Sequence, residues 1–303
     1  MNFRGRDIIS INDLSKQEII RIIEVARRLE KKHNPHLLDG KILATLFFEP
    51  STRTRLSFEA AMASLGGKTI GFADKDVSSI KKGESLADTI KVVESYADVI
   101  VIRHFLDGSA RLAADVSKIP VINGGDGSNQ HPTQTLLDLY TIKKAQGVIS
   151  NLNVALVGDL RYGRTVHSLA CALALFDCNL FFISPPSLKM PSYIIDHLKA
   201  MGVTFSEHAN LEEIIPKADV VYATRIQRER FADMVEYEKV KNSYILKKST
   251  LQKARKNLKV MHPLPRVDEV SISVDSTPYA YYFQQSSHGI PVRQAVLSLV
   301  LGK

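Results

Sequence analysis

Residues 41–67 read KILATLFFEPSTRTRLSFEAAMASLGG, and this stretch shows the order of elements on which the fold depends. Residues 41–48 form a short apolar run, which predicts a buried strand. A polar turn follows, and then a helix that we expect to end at Gly66-Gly67. A buried strand that leads directly into a helix is typical of parallel sheets covered by helices on both faces.

The same alternation continues on both sides of this stretch. Before it, Ser15 and Glu18 form a capping box, which predicts a helix over residues 15–32. After it, the pattern predicts five more elements and then a helix that begins at Pro132. The five are strand 68–72, helix 84–97, strand 98–103, helix 109–116 and strand 121–123.

A second run of strands and helices begins at Leu152. Its predicted elements are a strand from 152, helix 164–176, strand 179–184, helix 192–201 and strands 203–205, 219–224 and 258–261. Two such runs predict an α/β protein with two doubly wound parallel-sheet domains, and 303 residues suit two domains better than one. The last amphipathic segment, residues 290–301, is expected to return and pack on the first domain.

The composition excludes several classes of protein. The hydrophobic fraction of 45% and the charged fraction of 24% are ordinary for a globular chain. Residues 1–10 lack the apolar core of a secretion signal, and no apolar run approaches the roughly 20 residues that span a bilayer. Cys171 and Cys178 lie in or beside an apolar stretch, which favours buried, reduced thiols in a cytoplasmic protein. We therefore expect no membrane partner. A metal site needs a cluster of ligands, and the sequence contains no CxxC or HExxH motif, so we also expect no metal site.

The charge balance favours anionic small molecules over nucleic acid. Lysine and arginine number 40 against 32 acidic residues, which gives a net charge of +8. The basic residues are spread along the chain and tryptophan is absent, whereas nucleic-acid binders concentrate basic and aromatic residues on one element. We therefore expect no nucleic-acid partner.

In doubly wound folds, ligands bind beyond the carboxyl ends of the strands, so polar residues at those ends are candidates for a site. The segment 49–55, EPSTRTR, lies between a predicted strand and a predicted helix. The N-terminus of a helix offers unpaired N–H groups to a phosphate, and hydroxyls and an arginine add further donors. Helix capping is the alternative explanation, but it accounts for one hydroxyl only.

Two further strand ends are polar. Arg103-His104 ends the strand at 98–103, which alone is a weak signal. Residues 123–134, NGGDGSNQHPTQ, combine glycines that permit close approach to a ligand with His131 and Gln134 at the start of a helix. A flexible loop with a capping histidine is the alternative.

Residues 158–165, GDLRYGRT, differ by one position from a nucleotide-binding P-loop. That loop needs a lysine where this chain has Arg164, and no acidic residue ends the following strand to hold magnesium. Two later segments, Arg225-Ile226-Gln227 and residues 262–266 (HPLPR), also follow predicted strands. The two prolines are expected to rigidify their loop and to hold its carbonyls outward, toward an amine or an amide NH₂.

Several of these segments together resemble the aspartate and ornithine carbamoyltransferase family. The resemblance rests on FEPSTRTR at 48–55, Lys81-Lys82-Gly83-Glu84 and QHPTQ at 130–134, in the family's order, and extends from about Leu14 to the C-terminus. Ornithine-specific members carry an HCLP stretch and an SMG loop. This chain has HPLPR and Arg225-Ile226-Gln227 instead, which resembles the aspartate-specific members. An acceptor with two carboxylates also requires two cations, and Arg164 and Arg225 are available.

The resemblance implies transfer of a carbamoyl group from carbamoyl phosphate to L-aspartate, an early step of de novo pyrimidine biosynthesis, with no cofactor. Thr54, Arg103, His131 and Lys82 would be catalytic. The carbamoyl-phosphate set would be Ser51, Thr52, Arg53, Thr54, Arg103, His131, Gln134, Pro263 and Leu264. The aspartate set would be Ser78, Lys82, Arg164, Thr165, Arg225 and Gln227.

The resemblance also implies how the chain is divided and assembled. Residues 1–132 with 286–303 would bind carbamoyl phosphate, residues 133–285 would bind aspartate, and the active site would lie in the cleft between these domains. Ser78 and Lys82 would come from the neighbouring subunit of a homotrimer. The resemblance leaves open whether zinc-containing regulatory chains join such trimers in an allosteric holoenzyme.

Two other functions compete with this one. A nucleotide-binding switch with a P-loop at 158–165 is the first. A catalytically inactive interaction protein is the second, and we expect such a protein to have lost one of Arg53, Lys82, His131 and Arg225. This chain retains all four.

Overall fold

The computed structural model describes residues 2–73, 83–231 and 233–303. The chain divides into two compact units. The first unit comprises Met1–Leu137 and His288–Lys303, and the second comprises Asp138–Ser287.

The first unit is built on a four-stranded parallel sheet with the strand order β2-β1-β3-β4. Its strands are β1 (Ile42–Phe47), β2 (Lys68–Phe72), β3 (Val99–His104) and β4 (Val121–Asp126). Its helices are α1 (Lys16–Lys31), α2 (Thr52–Ser64), α3 (Leu86–Val93), α4 (Ser109–Val116), the start of α5 (Pro132–Gln146) and α10 (Gly289–Val300).

Local sequence signals explain several of these elements. The Ser15 hydroxyl accepts from the Glu18 N–H, and the Glu18 carboxylate accepts from the Ser15 N–H, so the predicted capping box of α1 is confirmed. Apolar residues of β1 and β3, among them Ala44 and Ile100, form the core with α3 and α4. The predicted return of the C-terminal segment is also confirmed, because α10 packs against α1 and α2.

The second unit is built on a five-stranded parallel sheet with the strand order β7-β6-β5-β8-β9. Its strands are β5 (Asn153–Val157), β6 (Asn179–Ile183), β7 (Phe205–His208), β8 (Val220–Ala223) and β9 (Lys259–Met261). Its helices are the remainder of α5, α6 (Arg164–Ala174), α7 (Ser192–Ala200), α8 (Met234–Val240) and α9 (Tyr282–Ser287). The predicted α/β class, with a parallel sheet and helices in each domain, is confirmed.

Two predicted strands have different limits in the structure. Strand β7 begins at Phe205, because the Val203 N–H donates to the Leu198 carbonyl and Gly202 has a φ of +70°, so these residues end α7. Strand β4 continues past Asn123 through a glycine pair. A Cβ on Gly124 would lie 3.1 Å from the Ile102 carbonyl, so only a small residue suits this position.

Helices α8 and α9 are absent from the sequence-based prediction, because both are short and lack a clear apolar periodicity. In the part of the chain that the structure describes, no helix is long and apolar enough to cross a membrane.

Candidate active site

The helix α2 begins at Thr52, after the short turn that follows β1, and Ser51 occupies its N-cap position. The Ser51 hydroxyl makes no capping hydrogen bond, in contrast to the Ser15 hydroxyl at the start of α1. The capping alternative for this segment therefore fails at Ser51. Thr52 and Arg53 are exposed and Thr54 is buried. The N–H groups of the first helical turn and the Ser51 hydroxyl are thus suited to an anion.

Arg103 lies at the end of β3, the strand beside β1. Its Nη2 donates to Glu49 Oε1 at 3.1 Å, and its Nη1 donates to the Gly124 carbonyl at 3.2 Å. The Arg103 side chain is 10% exposed, and the Glu49 side chain is 29% exposed. A guanidinium held by two acceptors loses less conformational entropy when it binds a ligand. Glu49 is therefore a partner of Arg103.

His131 precedes α5 and lies close to Thr54. The His131 Nε2 and the Thr54 Oγ1 are 3.5 Å apart, and both side chains are buried. The turn before His131 is organised by Asp126, whose carboxylate accepts from the Gln130 N–H at 3.2 Å and from the Asn123 amide at 2.8 Å. Sequence reasoning gave Asp126 no role. The signal that could have identified it is an acidic residue at the end of a strand.

The carboxyl ends of β1, β3 and β4 therefore bring one group of predicted residues to a single edge of the first sheet. This group carries hydroxyls, guanidinium groups and an imidazole, all of which can donate to a phosphate or to a carbonyl oxygen. Its members are Ser51, Thr52, Arg53, Thr54, Arg103 and His131. Gln134 follows in the first turn of α5 and is 9% exposed.

In the second unit, Arg164 and Thr165 begin α6, and Gly163 is at the N-cap without a side-chain cap. The loop between β5 and α6 starts at Gly158, which has a φ of +113°. A Cβ there would lie 2.3 Å from the Thr224 carbonyl, so this loop packs against the residue that follows β8.

The buried carboxylate of Asp159 joins this loop to the segment after β8. It accepts from the Tyr162 N–H at 2.9 Å and from the Gln227 N–H at 3.4 Å. The Gln227 amide in turn donates to the Tyr162 carbonyl at 3.2 Å. These bonds hold the segments that bear Arg164 and Arg225 to one another.

Burial raises the pKa of the Asp159 carboxyl above its ordinary value, although backbone N–H groups and the Arg225 charge act in the opposite direction. The bonds to Asp159 also bear on the P-loop alternative. A P-loop binds phosphate through the N–H groups of its own backbone. Here the Tyr162 N–H is already bound to Asp159, so the geometry disfavours nucleotide binding.

The third segment of the second unit follows β9. The His262 N–H donates to Gln285 Oε1 at 2.7 Å, and the Leu264 N–H donates to His262 Nδ1 at 2.8 Å. Leu264 has a φ of 57°, a backbone conformation that costs about 1–3 kcal/mol in residues other than glycine. Pro263 and Leu264 are both partly exposed, as a ligand contact requires.

Strands β5, β8 and β9 are neighbours, so their carboxyl ends bring the second group of predicted residues to one edge of the second sheet. That group is Arg164, Thr165, Arg225, Gln227, Pro263 and Leu264. Ser78 and Lys82 lie outside the described residues. Sequence reasoning missed Asp159 and Gln285; Asp159 lies two residues after the end of β5, where an acid is a recognisable signal, but no local pattern distinguishes Gln285.

The chain is a parallel α/β protein whose strand ends carry hydroxyl, guanidinium and imidazole donors, groups that are suited to small anions. The comparisons with known proteins define the family. Residues 6–144 match "Aspartate/ornithine carbamoyltransferase, carbamoyl-P binding domain", and residues 150–300 match the "Asp/Orn binding domain" of the same family. The chain belongs to the aspartate/ornithine carbamoyltransferase family.

Individual relatives are similar over their whole length. The aspartate carbamoyltransferase catalytic subunit of Thermococcus kodakarensis is 62% identical, and the match covers 100% of this chain and 99% of that protein. The catalytic subunit of M. jannaschii aspartate transcarbamoylase has 53% identity and a TM-score of 0.91, with 98% of each chain covered. Trypanosoma cruzi aspartate transcarbamoylase, solved with carbamoyl phosphate and aspartate, has 38% identity and a TM-score of 0.94, with 99% of this chain and 98% of that chain covered.

Proposed function

We propose that this chain is the catalytic chain of an aspartate carbamoyltransferase. It transfers the carbamoyl group of carbamoyl phosphate to the amine of L-aspartate, and the products are N-carbamoyl-L-aspartate and phosphate. In the cell this reaction is an early step of de novo pyrimidine biosynthesis.

One observation carries the choice of acceptor. The segments bearing Arg164 and Arg225 are tied together through Asp159 and Gln227 at one edge of the second sheet. Two cationic side chains on joined segments suit an acceptor with two carboxylates. The side chain of ornithine ends in an ammonium group instead, which these arginines would repel. The full-length similarity to aspartate carbamoyltransferase catalytic subunits supports the same choice.

In the proposed mechanism, the first unit holds the donor substrate. Ser51, Thr52, Arg53, Thr54 and Arg103 bind the phosphate. Thr54, Arg103 and His131 donate to the carbamoyl oxygen as it becomes an oxyanion. A preorganised donor of this kind contributes about 3–4 kcal/mol by deletion. The fixed position of Arg103 between Glu49 and Gly124 supports this role, because the donor needs no reorientation during the reaction.

Residues of the second unit bind the acceptor and contribute to binding the carbamoyl NH₂, which stays on the transferred group. Arg164 and Thr165 bind the α-carboxylate of aspartate, and Arg225 and Gln227 bind the β-carboxylate. Gln134 of helix α5, together with the carbonyls of Pro263 and Leu264, binds the carbamoyl NH₂. Holding both substrates in attack geometry lowers the barrier by about 7–11 kcal/mol in favourable systems.

The chemistry balances without a cofactor. The neutral amine attacks the carbamoyl carbon, a C–N bond forms, and the C–O bond to phosphate breaks. The amine loses one proton, and the departing phosphate is the proposed acceptor.

The assembly and location belong to the same proposal. We propose a cytoplasmic homotrimer in which Ser78 and Lys82 enter the neighbouring subunit's site. The resemblance to the family supports this arrangement, and the two buried free cysteines suit a reducing compartment.

An activity assay tests the function directly. Purified protein with carbamoyl phosphate should form N-carbamoyl-L-aspartate from L-aspartate and should form little citrulline from L-ornithine. Faster carbamoylation of ornithine would overturn the proposed acceptor. Stabilisation by ATP and magnesium, without carbamoylation of either amine, would favour the nucleotide-binding alternative.

A further inference from the structure

The Pro263-Leu264 dipeptide is held on its strand side by a buried chain of hydrogen bonds that the proposed function does not use. The His262 N–H donates to Gln285 Oε1 at 2.7 Å, and Gln285 Nε2 donates to Asp138 Oδ1 at 2.7 Å. The second oxygen of Asp138 accepts from the Tyr222 hydroxyl at 2.8 Å. The side chains that form this series of hydrogen bonds are nearly inaccessible to solvent, so the start of the loop is fixed in place.

The His262 ring holds the other end of the dipeptide. Its Nδ1 accepts from the Leu264 N–H at 2.8 Å, so the ring proton is on Nε2. The Nε2 atom lies 2.7 Å from Glu269 Oε1, although its N–H is not well aligned with that oxygen. Burial acts to raise the pKa of Glu269, but His262 and backbone N–H groups lower it below its ordinary value. Glu269 is therefore ionised at neutral pH and attracts the proton on Nε2.

The hydrogen bonds around His262 leave the carbonyl oxygens of Pro263 and Leu264 as acceptors for a ligand. None of the residues that the structure describes donates a hydrogen bond to the carbonyl of Pro263 or of Leu264. The positive φ of Leu264 is uncommon for a residue with a side chain. The bond from its N–H to His262 favours that conformation, which in turn sets the direction of the carbonyls.

We infer that His262 is a positioning residue that makes the site select carbamoyl phosphate over acyl phosphates in which a methyl group replaces the NH₂. This inference rests on the proposed function, in which these carbonyls bind the carbamoyl NH₂. A methyl group has nearly the size of an NH₂ group but cannot donate a hydrogen bond. Carbonyls placed against a methyl group lose water without compensation, and sites of this kind reject such analogues strongly.

A matched pair of variants separates positioning from simple packing. In His262→Asn, the side-chain oxygen lies near the place of Nδ1 and can accept from the N–H two residues later. In His262→Gln, the amide extends toward Glu269, but the acceptor near Leu264 is lost. Calorimetry on the full chain would measure the binding of carbamoyl phosphate, acetyl phosphate and inorganic phosphate to each variant.

The expected result is a loss of selectivity in one variant only. His262→Gln should lose about tenfold in its preference for carbamoyl phosphate over acetyl phosphate, which is the effect of about one hydrogen bond. His262→Asn should keep most of that preference. Inorganic phosphate has no NH₂, so both variants should bind it as the unmodified chain does.

Two results would overturn the inference. One is an unchanged preference in His262→Gln, and the other is an equal loss in both variants, which would assign the effect to packing. If His262→Gln does not fold, Glu269→Gln decides, with an expected loss of about threefold in preference; no loss there overturns the inference. Absence of aspartate carbamoylation by the unmodified chain would refute the proposed function instead, whatever the variants show.

Discussion

Glu49 Oε1 lies 3.1 Å from Arg103 Nη2, and the two residues are 54 positions apart in the chain. Glu49 follows β1 and Arg103 ends β3, so the pair joins neighbouring strands at the edge of the sheet where the proposed phosphate site lies. The same guanidinium donates to the carbonyl of Gly124. The position of Arg103 is therefore set by two other segments of the first unit.

Replacing Glu49 by Gln should weaken the binding of carbamoyl phosphate by about three- to tenfold, because the amide keeps an acceptor but removes the charge that holds Arg103. Steady-state kinetics would measure this as a higher KM for carbamoyl phosphate. Glu59→Gln is the control, since Glu59 pairs with Arg55 at 3.7 Å and has no proposed role in the site. Equal effects of the two variants would contradict the role given to the Glu49–Arg103 pair.

Replacing Arg225 by Ala should mainly impair the use of aspartate. Loss of a charged partner for the β-carboxylate should cost a few kcal/mol, about tenfold in kcat/KM for each 1.4 kcal/mol. Carbamoyl phosphate affinity should stay nearly unchanged. Arg228→Ala, an exposed arginine three positions later, serves as the control. A loss of carbamoyl phosphate affinity with intact use of aspartate would refute the assignment.

Ser51 and Ser15 occupy equivalent positions at the N-termini of two helices, yet only Ser15 makes capping hydrogen bonds. Ser15→Ala should therefore lower the free energy of unfolding by about 0.5–2 kcal/mol and leave the kinetics unchanged. Ser51→Ala should show the opposite pattern, with little loss of stability and a raised KM for carbamoyl phosphate. Thermal unfolding and kinetics on both variants would decide; a purely structural Ser51 would lower the melting temperature as Ser15 does.

Glu269 predicts a pH dependence of stability. Its pKa in the folded chain is below the ordinary value of 4.5, so the folded state favours the ionised carboxylate. Its contribution is therefore present above the unfolded pKa and is lost as the pH falls through the folded pKa. Compared with Glu269→Gln, the unmodified chain should melt at a higher temperature at neutral pH, and this difference should shrink below pH 4.5. A difference that grows on acidification would contradict a stabilising contact between the ionised Glu269 carboxylate and His262.

A site shared between subunits predicts complementation. Arg53→Ala and Lys82→Ala trimers should each be nearly inactive. After dissociation and random remixing, some interfaces should combine an intact Arg53 with an intact Lys82, and activity should partly return. A charge tag would verify remixing. Verified hybrids without activity would mean that Lys82, which lies outside the described residues, does not act across an interface.

Much of the fold was predictable because its signals are local. The capping box of α1 joins residues three positions apart, and the apolar run before α2 needs only a few neighbouring residues to define a strand. The predicted ends of strands were less accurate where contacts between residues distant in sequence set those ends. β4 continues past Asn123 and pairs with β3 as far as Asp126, and a Cβ on Gly124 would lie 3.1 Å from the Ile102 carbonyl; no pattern within residues 121–126 shows these contacts.

The sequence by itself determined the α/β class, the strand ends on which candidate residues lie, and the resemblance to the carbamoyltransferase family. Only the tertiary structure decided which groups hold those residues. Glu49 meets Arg103 across 54 positions, and Gln285 meets Asp138 across 147 positions. The first pair arises because parallel strands that are distant in the chain end at the same edge of a sheet. The second joins helices α5 and α9, which are distant in the chain. Local periodicity contains no record of either arrangement.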